Sequence, residues 1–402
     1  GSIRATLTTS KGLRIGGTVD VPKGRVKHPV TVKLPRAILP DETMESLTLD
    51  IGIKRAATIY GIDFIRQPML ATLPSPESGA DRVHVGREAR RGLGLGPGDV
   101  MSAAFEAAPA TSAGLWVAAL APERGSLDKD ARLELKLVQS SAPEGGTAQA
   151  PQIRAIAIQP GWTKVDLDEL TGGAYALEVT LLSSQASTVA VVSEMLLVGA
   201  PVDTPRTVLL ISSQAHRADH LGLTRPEGGE PLETPSLDAL AGAGVLFDSA
   251  WAASNRGVPS HSALLTGRHP RDTKVLGDYS SLGADPEAGP LTLAEAFAAE
   301  GYRTVAVISA SHLGHEFSGL GRGFDLVVRP AGSVARAEES VASVLAELDG
   351  GQPTFVWLHL FDAHGPDAGI PLDEYRAEIG YLDTQIKGLL ALPRVAAGIT
   401  AF

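Results

Sequence analysis

Two periods of hydrophobic patterning divide this chain near residue 200. Before that point, short runs of alternating apolar and polar residues recur at 18–21, 30–34, 46–53, 133–138, 174–182 and 188–197. Turn clusters separate them, such as Pro22-Lys23-Gly24 and those at 94–98, 143–146 and 171–173. A period of two puts every second side chain on one face of an extended strand. Several short strands with Gly/Pro-rich turns favour a sandwich or jelly roll over a helical domain. The Ala-rich stretch 101–110 fits a short helix as well as a strand, and the pattern leaves both open.

After residue 200 the pattern changes. Gly199-Ala200-Pro201 and Pro205 read as a linker, and 207–211 is a continuous apolar run, as in a strand buried on both faces. Thr234-Pro235 opens a helix with an N-cap hydroxyl and an N1 proline. Thr292 and Glu295 form a capping box for a second helix that Gly301 ends. Buried strands are predicted at 304–308 and 355–360, with an amphipathic helix at 333–348 between them. Strands alternating with helices at this spacing make a mostly parallel α/β sheet flanked by helices. The expected organisation is therefore a β-sandwich domain over 1–203 and an α/β domain over 204–402.

Composition narrows the function classes. Charged residues are 20% of the chain and apolar ones 44%, an ordinary globular balance. Net charge is −11, with Lys and Arg only in short pairs. Nucleic acid and anionic membrane are thereby disfavoured as partners, because neutralising phosphates needs clustered cations. No apolar run approaches the ~18 residues that span a bilayer. Zero cysteine removes disulfides and thiolate metal ligands. Gly1-Ser2 reads as a tag remnant, so a signal peptide or lipid anchor would have been removed with the natural start.

Open parallel sheets bind ligands beyond the carboxyl ends of their strands. Three such ends are predicted here, at 214–220, 309–315 and 362–364, and eight of the ten histidines lie between His216 and His364. That concentration points to a polar cleft, past or present.

The motifs around those ends resemble the sulfatase family of the alkaline phosphatase superfamily. VLLISSQAHRADHLG at 208–222 is similar to the family's opening strand and turn, I-S-I-D-T-L-R-A-D-H-L-G. TPSLDAL at 234–240 resembles its T-P-N-L-D-x-L-A helix, and GVLFDSA at 244–250 its G-V-x-F-x-N-A strand. VPSHSALLTG at 258–267 resembles the helix that follows the nucleophile, the segment at 292–307 its T-L-A-E-x-L-x-x-x-G-Y-x-T, and FVWLHLFDAHGP at 355–366 its F-L-F-L-H-x-x-D-P-H-x-P. The resemblance covers residues 206–402. In the N-terminal half, Trp162 to Asp168 followed by 172–182 resembles the late strands of galactose-binding-like sandwiches, with Trp116 or Trp162 either a stacking platform for a glycan or core.

The resemblance implies a sulfatase-like fold and a degraded site. The family's nucleophile stands two residues before the proline of that helix, where this chain has Gly257, and glycine cannot form a covalent ester intermediate. Ser254, Ser260 and Ser262 are nearby hydroxyls, the last two within the helix. Gln214 stands where the family's first Asp holds a divalent cation, and a neutral amide weakens a Ca²⁺ or Mg²⁺ site. The family positions that persist are Arg217, Asp219, His261, Asp362 and His364, each a pocket-lining residue or an ordinary structural polar group. The chain ends at 399–402, about where the family's next strand would run, so the domain is expected to lack the family's C-terminal part.

Three functional expectations follow. The first is a catalytically inactive sulfatase-like protein, needing no cofactor, that binds a protein or an anionic glycan; the family places it outside the cytoplasm. The second is an active sulfuric or phosphoric ester hydrolase with a rearranged metal site. His216, Asp219 and His220, spaced to share one helical face, would there hold Ca²⁺, Mg²⁺ or Zn²⁺ with His364. In the third, the N-terminal β domain is the binding module and the α/β domain its platform. A second histidine pair, His312 and His315, is spaced for a common face or a loop.

Overall fold

The computed structural model describes residues 2–9, 14–20, 44–52, 81–120, 128–143, 145–185, 188–198, 207–224, 234–278, 280–283, 289–348, 351–364 and 371–402. The predicted strand at 30–34 and the linker at 199–205 lie outside them. The chain forms two compact units, Gly1–Ala71 with Pro366–Gly369, and Thr72–Gly365 with Ile370–Phe402. In the first, β1 (Ser2–Thr9) is flanked by β2 (Arg14–Asp20) and β3 (Met44–Gly52) in an antiparallel sheet.

The second unit contains both the β-sandwich and the α/β region. Its sandwich strands are β4 (Asp81–Val85), β5 (Glu88–Leu95), β6 (Val100–Ala107), β7 (Ser112–Leu120), β8 (Arg132–Ser141), β9 (Gln152–Ala157), β10 (Thr163–Asp166), β11 (Gly173–Leu182), β12 (Val189–Ser193) and β13 (Leu196–Val198). One sheet has the order β6-β11-β8-β9 and faces the strands β10-β7-β12-β5 of the other. Alternation does the work: Leu133, Leu135 and Leu137 of β8 point inward against Leu177, Val179 and Leu181 of β11, and against Leu95, Leu115 and Val117 of the facing sheet. The stretch left open between helix and strand is β6, whose Phe105 stacks on Tyr175 inside the sandwich.

The α/β region contributes β14 (Thr207–Ser213), α1 (Pro235–Ala243), α2 (Gly257–Thr266), α3 (Pro270–Thr273), α4 (Leu293–Ala299), β15 (Arg303–Ile308), α5 (His315–Ser318), β16 (Leu326–Val328), α6 (Ala337–Glu347), β17 (Thr354–Leu360), α7 (Leu372–Leu390), α8 (Pro393–Ala396) and β18 (Ile399–Ala401). Strands β16-β15-β17-β14-β18 run parallel, and every residue of β17 is buried, as expected for a central strand covered on both faces. The two architectures share one sheet. β16 pairs antiparallel with β5, Leu326 opposite Arg90, so the sandwich and the parallel strands form a single eleven-stranded sheet. The change of pattern near residue 200 marks a change of sheet type inside one compact unit.

Two local expectations need correction. The Thr234 hydroxyl does not cap α1; it donates to Asp238 and accepts from the Gly222 N–H. The free N–H groups of Ser236 and Leu237 are taken instead by the buried carboxylate of Asp383, from α7. The segment 244–250, expected as a strand, has no strand partner among the described residues and lies exposed between α1 and α2. The capping box of Thr292 and Glu295 on α4 is present in both directions.

Where the sheets join, Arg90 is buried against Glu88 and, at 3.9 Å, Glu347, with its guanidinium 4.2 Å from the centre of the Trp116 ring. Arg303 pairs with Glu347 from the other side. Truncating the shared carboxylate leaves two guanidinium groups short of a partner in a dry setting. We predict that Glu347→Ala lowers the unfolding free energy by on the order of 3 kcal/mol, measured by urea denaturation followed by circular dichroism.

Candidate functional site

The three predicted strand ends do converge. Gln214 follows β14, His359 lies in β17, and His312 sits in the short turn after β15. Against them stands Gly257, the first residue of α2. A Cβ at Gly257 would be 3.1 Å from Gln214 Nε2, 3.2 Å from Gln214 Oε1 and 3.2 Å from His312 Nε2. A side chain there would crowd the amide of Gln214 and the imidazole of His312, which would have to give by a few tenths of an ångström.

The hydrogen-bond directions are decided by the acceptors. His261 Nδ1 lies 2.8 Å from the Gly257 carbonyl, which can only accept, so Nδ1 carries the proton. His261 Nε2 is then an acceptor, and Ser212 Oγ donates to it at 3.2 Å while accepting from Trp357 Nε1 at 2.9 Å. His359 Nε2 donates to Gln214 Oε1 at 3.2 Å, and its Nδ1 is buried without a hydrogen-bond partner. Burial holds these rings neutral. It lowers His261 to about 4 and lowers His312, in which the nearby Asp278 carboxylate opposes the shift; His359 falls well below the ordinary value, pushed further by its histidine neighbours.

The free end of α2 is also occupied. Asp278 Oδ1 accepts from the Val258 N–H at 3.2 Å, with Arg256 3.9 Å from its other oxygen. A helix N-terminus favours an anion, and here the protein supplies its own carboxylate. The groups gathered round Gly257 are therefore a neutral amide, neutral imidazoles and the Asp278 carboxylate with the Arg256 guanidinium beside it, a set that can hydrogen-bond a ligand.

Gln214, Gly257 and His261 thus come together, His364 lies near enough to His312 and His359 to lower both electrostatically, and the remaining candidates are directed elsewhere. Asp362 is buried, but its Oδ1 accepts from Ala337 N at 3.3 Å at the start of α6 and pairs with Arg336 at 3.2 Å. His364 is exposed and stacks on Phe361 with ring centres 4.3 Å apart. Arg217 chelates Asp219, Asp219 accepts from His220 Nδ1 at 2.8 Å, and the Arg217 N–H bonds Tyr375 of α7. His216 faces Ser213 and the His220 carbonyl. These contacts dock the turn after β14 onto α7. Ser254 accepts from the Arg256 N–H, and Ser262 is buried inside α2. His315 packs under Gly321, apart from His312.

The residues present do not fit the divalent cation that the family implies. Hard cations want several converging anionic oxygens, whereas the amide oxygen of Gln214 is bonded to His359 and the Asp362 carboxylate serves α6. Among the described residues no three His, Asp or Glu side chains converge as ligands, and Asp219 and His220 bond each other while the His216 ring faces Ser213 and the His220 carbonyl.

Reading the sequence missed His359, Asp278 and Ser212. His359 stood inside a quoted motif, yet its strand pattern is simply apolar, and only pairing of Ser212 with His359 across β14 and β17 brings it beside Gln214. Trp116 and Trp162, read as either stacking platforms or core, are packed: Trp116 carries Arg90 on its ring, and Trp162 lies against Val83, Val85, Ala118 and Val191.

The sequence profile of the sulfatase family matches residues 206–391. N-acetylgalactosamine-6-sulfatase of Mus musculus is 36% identical over 144 residues, 33% of this chain and 26% of the mouse protein. The match thus spans about a quarter of the length of that curated relative. Among solved structures, phosphonoacetate hydrolase from Sinorhizobium meliloti 1021 superposes with a TM-score of 0.34 at 17% identity, covering 47% of this chain and 54% of that one. TmCBM61 in complex with β-1,4-galactotriose does so with a TM-score of 0.20 at 12% identity, covering 28% and 71%. The C-terminal region is thus similar to the sulfatase family over residues 206–391.

Two predictions test this geometry. Gly257→Ser is expected to lower stability by about 1–3 kcal/mol through overpacking, and Gln214→Ala to relieve part of that loss. A double-mutant cycle in urea would show the pair as non-additive. The second concerns pH. A histidine whose folded pKa lies below its unfolded value binds fewer protons when native, so stability is complete above about 6.5 and falls as pH drops below it. For His216 and His261, both lowered to about 4, the loss runs from about 6.5 to about 4. The urea midpoint is expected to decline across that window, and less steeply in His261→Gln.

Proposed function

We propose that this chain is a catalytically inactive sulfatase-like protein that acts by binding a protein or an anionic glycan. One observation carries the reading: at the nucleophile position stands Gly257, with the Gln214 amide packed into the space a nucleophile would take. The loss of the side chain and the filling of its room are two parts of one change, which argues for a site remodelled as structure. The carboxylate of Asp278 at the start of α2 supports it further, since it opposes an anionic ester where such a group would sit.

An anionic glycan is favoured as a ligand class by the name of the mouse relative, which specifies a sulfated N-acetylgalactosamine. The β-sandwich is a second place where a sugar could bind. The outer face of its four-stranded sheet, however, shows Ser102, Ala104, Glu106, Glu134, Lys136 and Glu178, and no aromatic ring among the described residues. Placement outside the cytoplasm is part of the same proposal and rests on the family. No helix among the described residues is long and apolar enough to cross a membrane.

The competing reading, an active ester hydrolase with a rearranged metal site, requires the His216 ring to join Asp219 and His220, which already bond each other, as a common ligand set. Elemental mass spectrometry of the desalted protein, with assays on 4-nitrophenyl sulfate and 4-nitrophenyl phosphate, separates the two. Metal content near zero and no turnover are expected. About one equivalent of bound metal together with metal-dependent hydrolysis would overturn the binding reading.

A further inference from the structure

The residues 268–274, Arg-His-Pro-Arg-Asp-Thr-Lys, follow the C-terminal end of α2 and contain α3. They carry three cations and one acid on a chain of net charge −11. The inner side of this turn is fixed. Pro270 is buried, the Thr273 hydroxyl lies 3.5 Å from that of Ser262 in α2, and Val275 packs in the core with Leu265. Arg268, His269, Arg271 and Lys274 are left exposed. Arg217, Arg303 and Arg336 each hold a carboxylate, whereas Arg268, Arg271 and Lys274 form no ion pair among the described residues.

Spacing gathers these cations. Arg268, Arg271 and Lys274 stand three residues apart across the single turn of α3, an interval that brings side chains to one side of a helical turn. His269 adds a donor: its Nδ1 accepts from the Arg271 N–H at 3.3 Å, so in the neutral ring the proton sits on Nε2. Backbone strain singles out Lys274. It ends α3 at φ 62°, in the left-handed region where glycine is the usual residue. A Cβ makes that conformation unfavourable, and such outliers gather at ligand sites. The dipole of α2 accounts for a cation at Arg268, beside Gly267, but its influence fades within the last turn and gives no reason for Arg271 or Lys274.

We infer that 268–274 is a binding site for a sulfated polysaccharide. The inference rests on the anionic-glycan reading proposed above and gives that ligand a place other than the Gly257 cleft, where Asp278 opposes an anion. The two places are the opposite ends of α2, whose ten residues span roughly 15 Å. Guanidinium groups hold oxyanions through paired N–H donors, and a repeating anion engages several cations at once, so that weak contacts reinforce one another. Three cations are fewer than the about four to eight of a lipid-headgroup cluster. No Phe, Tyr or Trp stands among them to stack on nucleotide bases.

Fluorescence anisotropy of labelled dextran sulfate with the full chain tests this, uncharged dextran serving as the second probe. Dextran sulfate is expected to bind and dextran not. Arg268→Ala with Arg271→Ala should weaken binding at least tenfold, and Lys136→Ala, which removes an exposed charge on β8, should leave it unchanged. Lys274→Gly is the sharper variant: it should weaken binding severalfold while the urea midpoint holds or rises, because glycine takes a positive φ freely. Binding indifferent to the 268–274 variants would overturn the site and leave an anionic glycan bound elsewhere. Equal binding of single-stranded DNA or phosphatidylserine vesicles would overturn the ligand class. No binding of dextran sulfate at all would overturn site and glycan together, leaving the protein-binding form of the proposed function.

Discussion

The pairing of β5 with β16 is the constraint on which the arrangement of the larger unit rests. Three residues from each strand turn two sheets into one. An antiparallel sandwich and a parallel α/β sheet each need their buried faces covered, and continuity of the sheet lets one set of backbone hydrogen bonds run through both. The side chains at the seam are charged: Arg90, Glu347 and Arg303 lie against Trp116, and Arg82 of β4 donates to the Gly321 and Phe324 carbonyls of the α/β region. Buried ion pairs contribute little net stability compared with apolar packing, but they tolerate few alternative geometries. The seam therefore fixes the register in which the two architectures meet.

That rigidity bears on the cleft. The carboxyl ends of β14, β15 and β17 meet at the cleft. Here the same strand ends close on neutral groups: an amide against an imidazole, a second imidazole between a serine and a carbonyl, and a glycine with no room beside it. Each buried polar group but His359 Nδ1 has a partner in this set, so the cleft is a hydrogen-bonded part of the core. Rings kept neutral by burial make acid the perturbation to which this region responds.

Much of the fold was legible in the residues. Alternation in β8 and β11, the unbroken apolar run of β17 and the capping box of α4 all report local geometry directly, because strand and helix periods are properties of neighbouring residues. The candidate site was half legible. Gln214, Gly257 and His261 were identified through motif order, and they do meet. Asp362, Arg217, Asp219 and His220 belong to the same motifs, yet their side chains cap a helix or dock a turn onto α7. A motif records which residues lie near a strand end. It does not record which way each one turns, because that depends on what the neighbouring elements offer as donors and acceptors.

The sequence by itself determined the two classes of architecture, the position of most elements, the absence of a side chain at residue 257 and the presence of an amide at 214. Those are facts of composition and local period, and no folding is needed to read them. Tertiary structure alone decided that the two architectures share a sheet, that Asp383 caps α1 across 146 residues of chain, and that Gln214 fills the space beside Gly257. It also decided that 244–251 is left outside the sheet with its aromatic side chains exposed. Each of these depends on contacts between residues distant in sequence. Periodicity has no range over which to encode such contacts, and packing selects them only once the chain is compact.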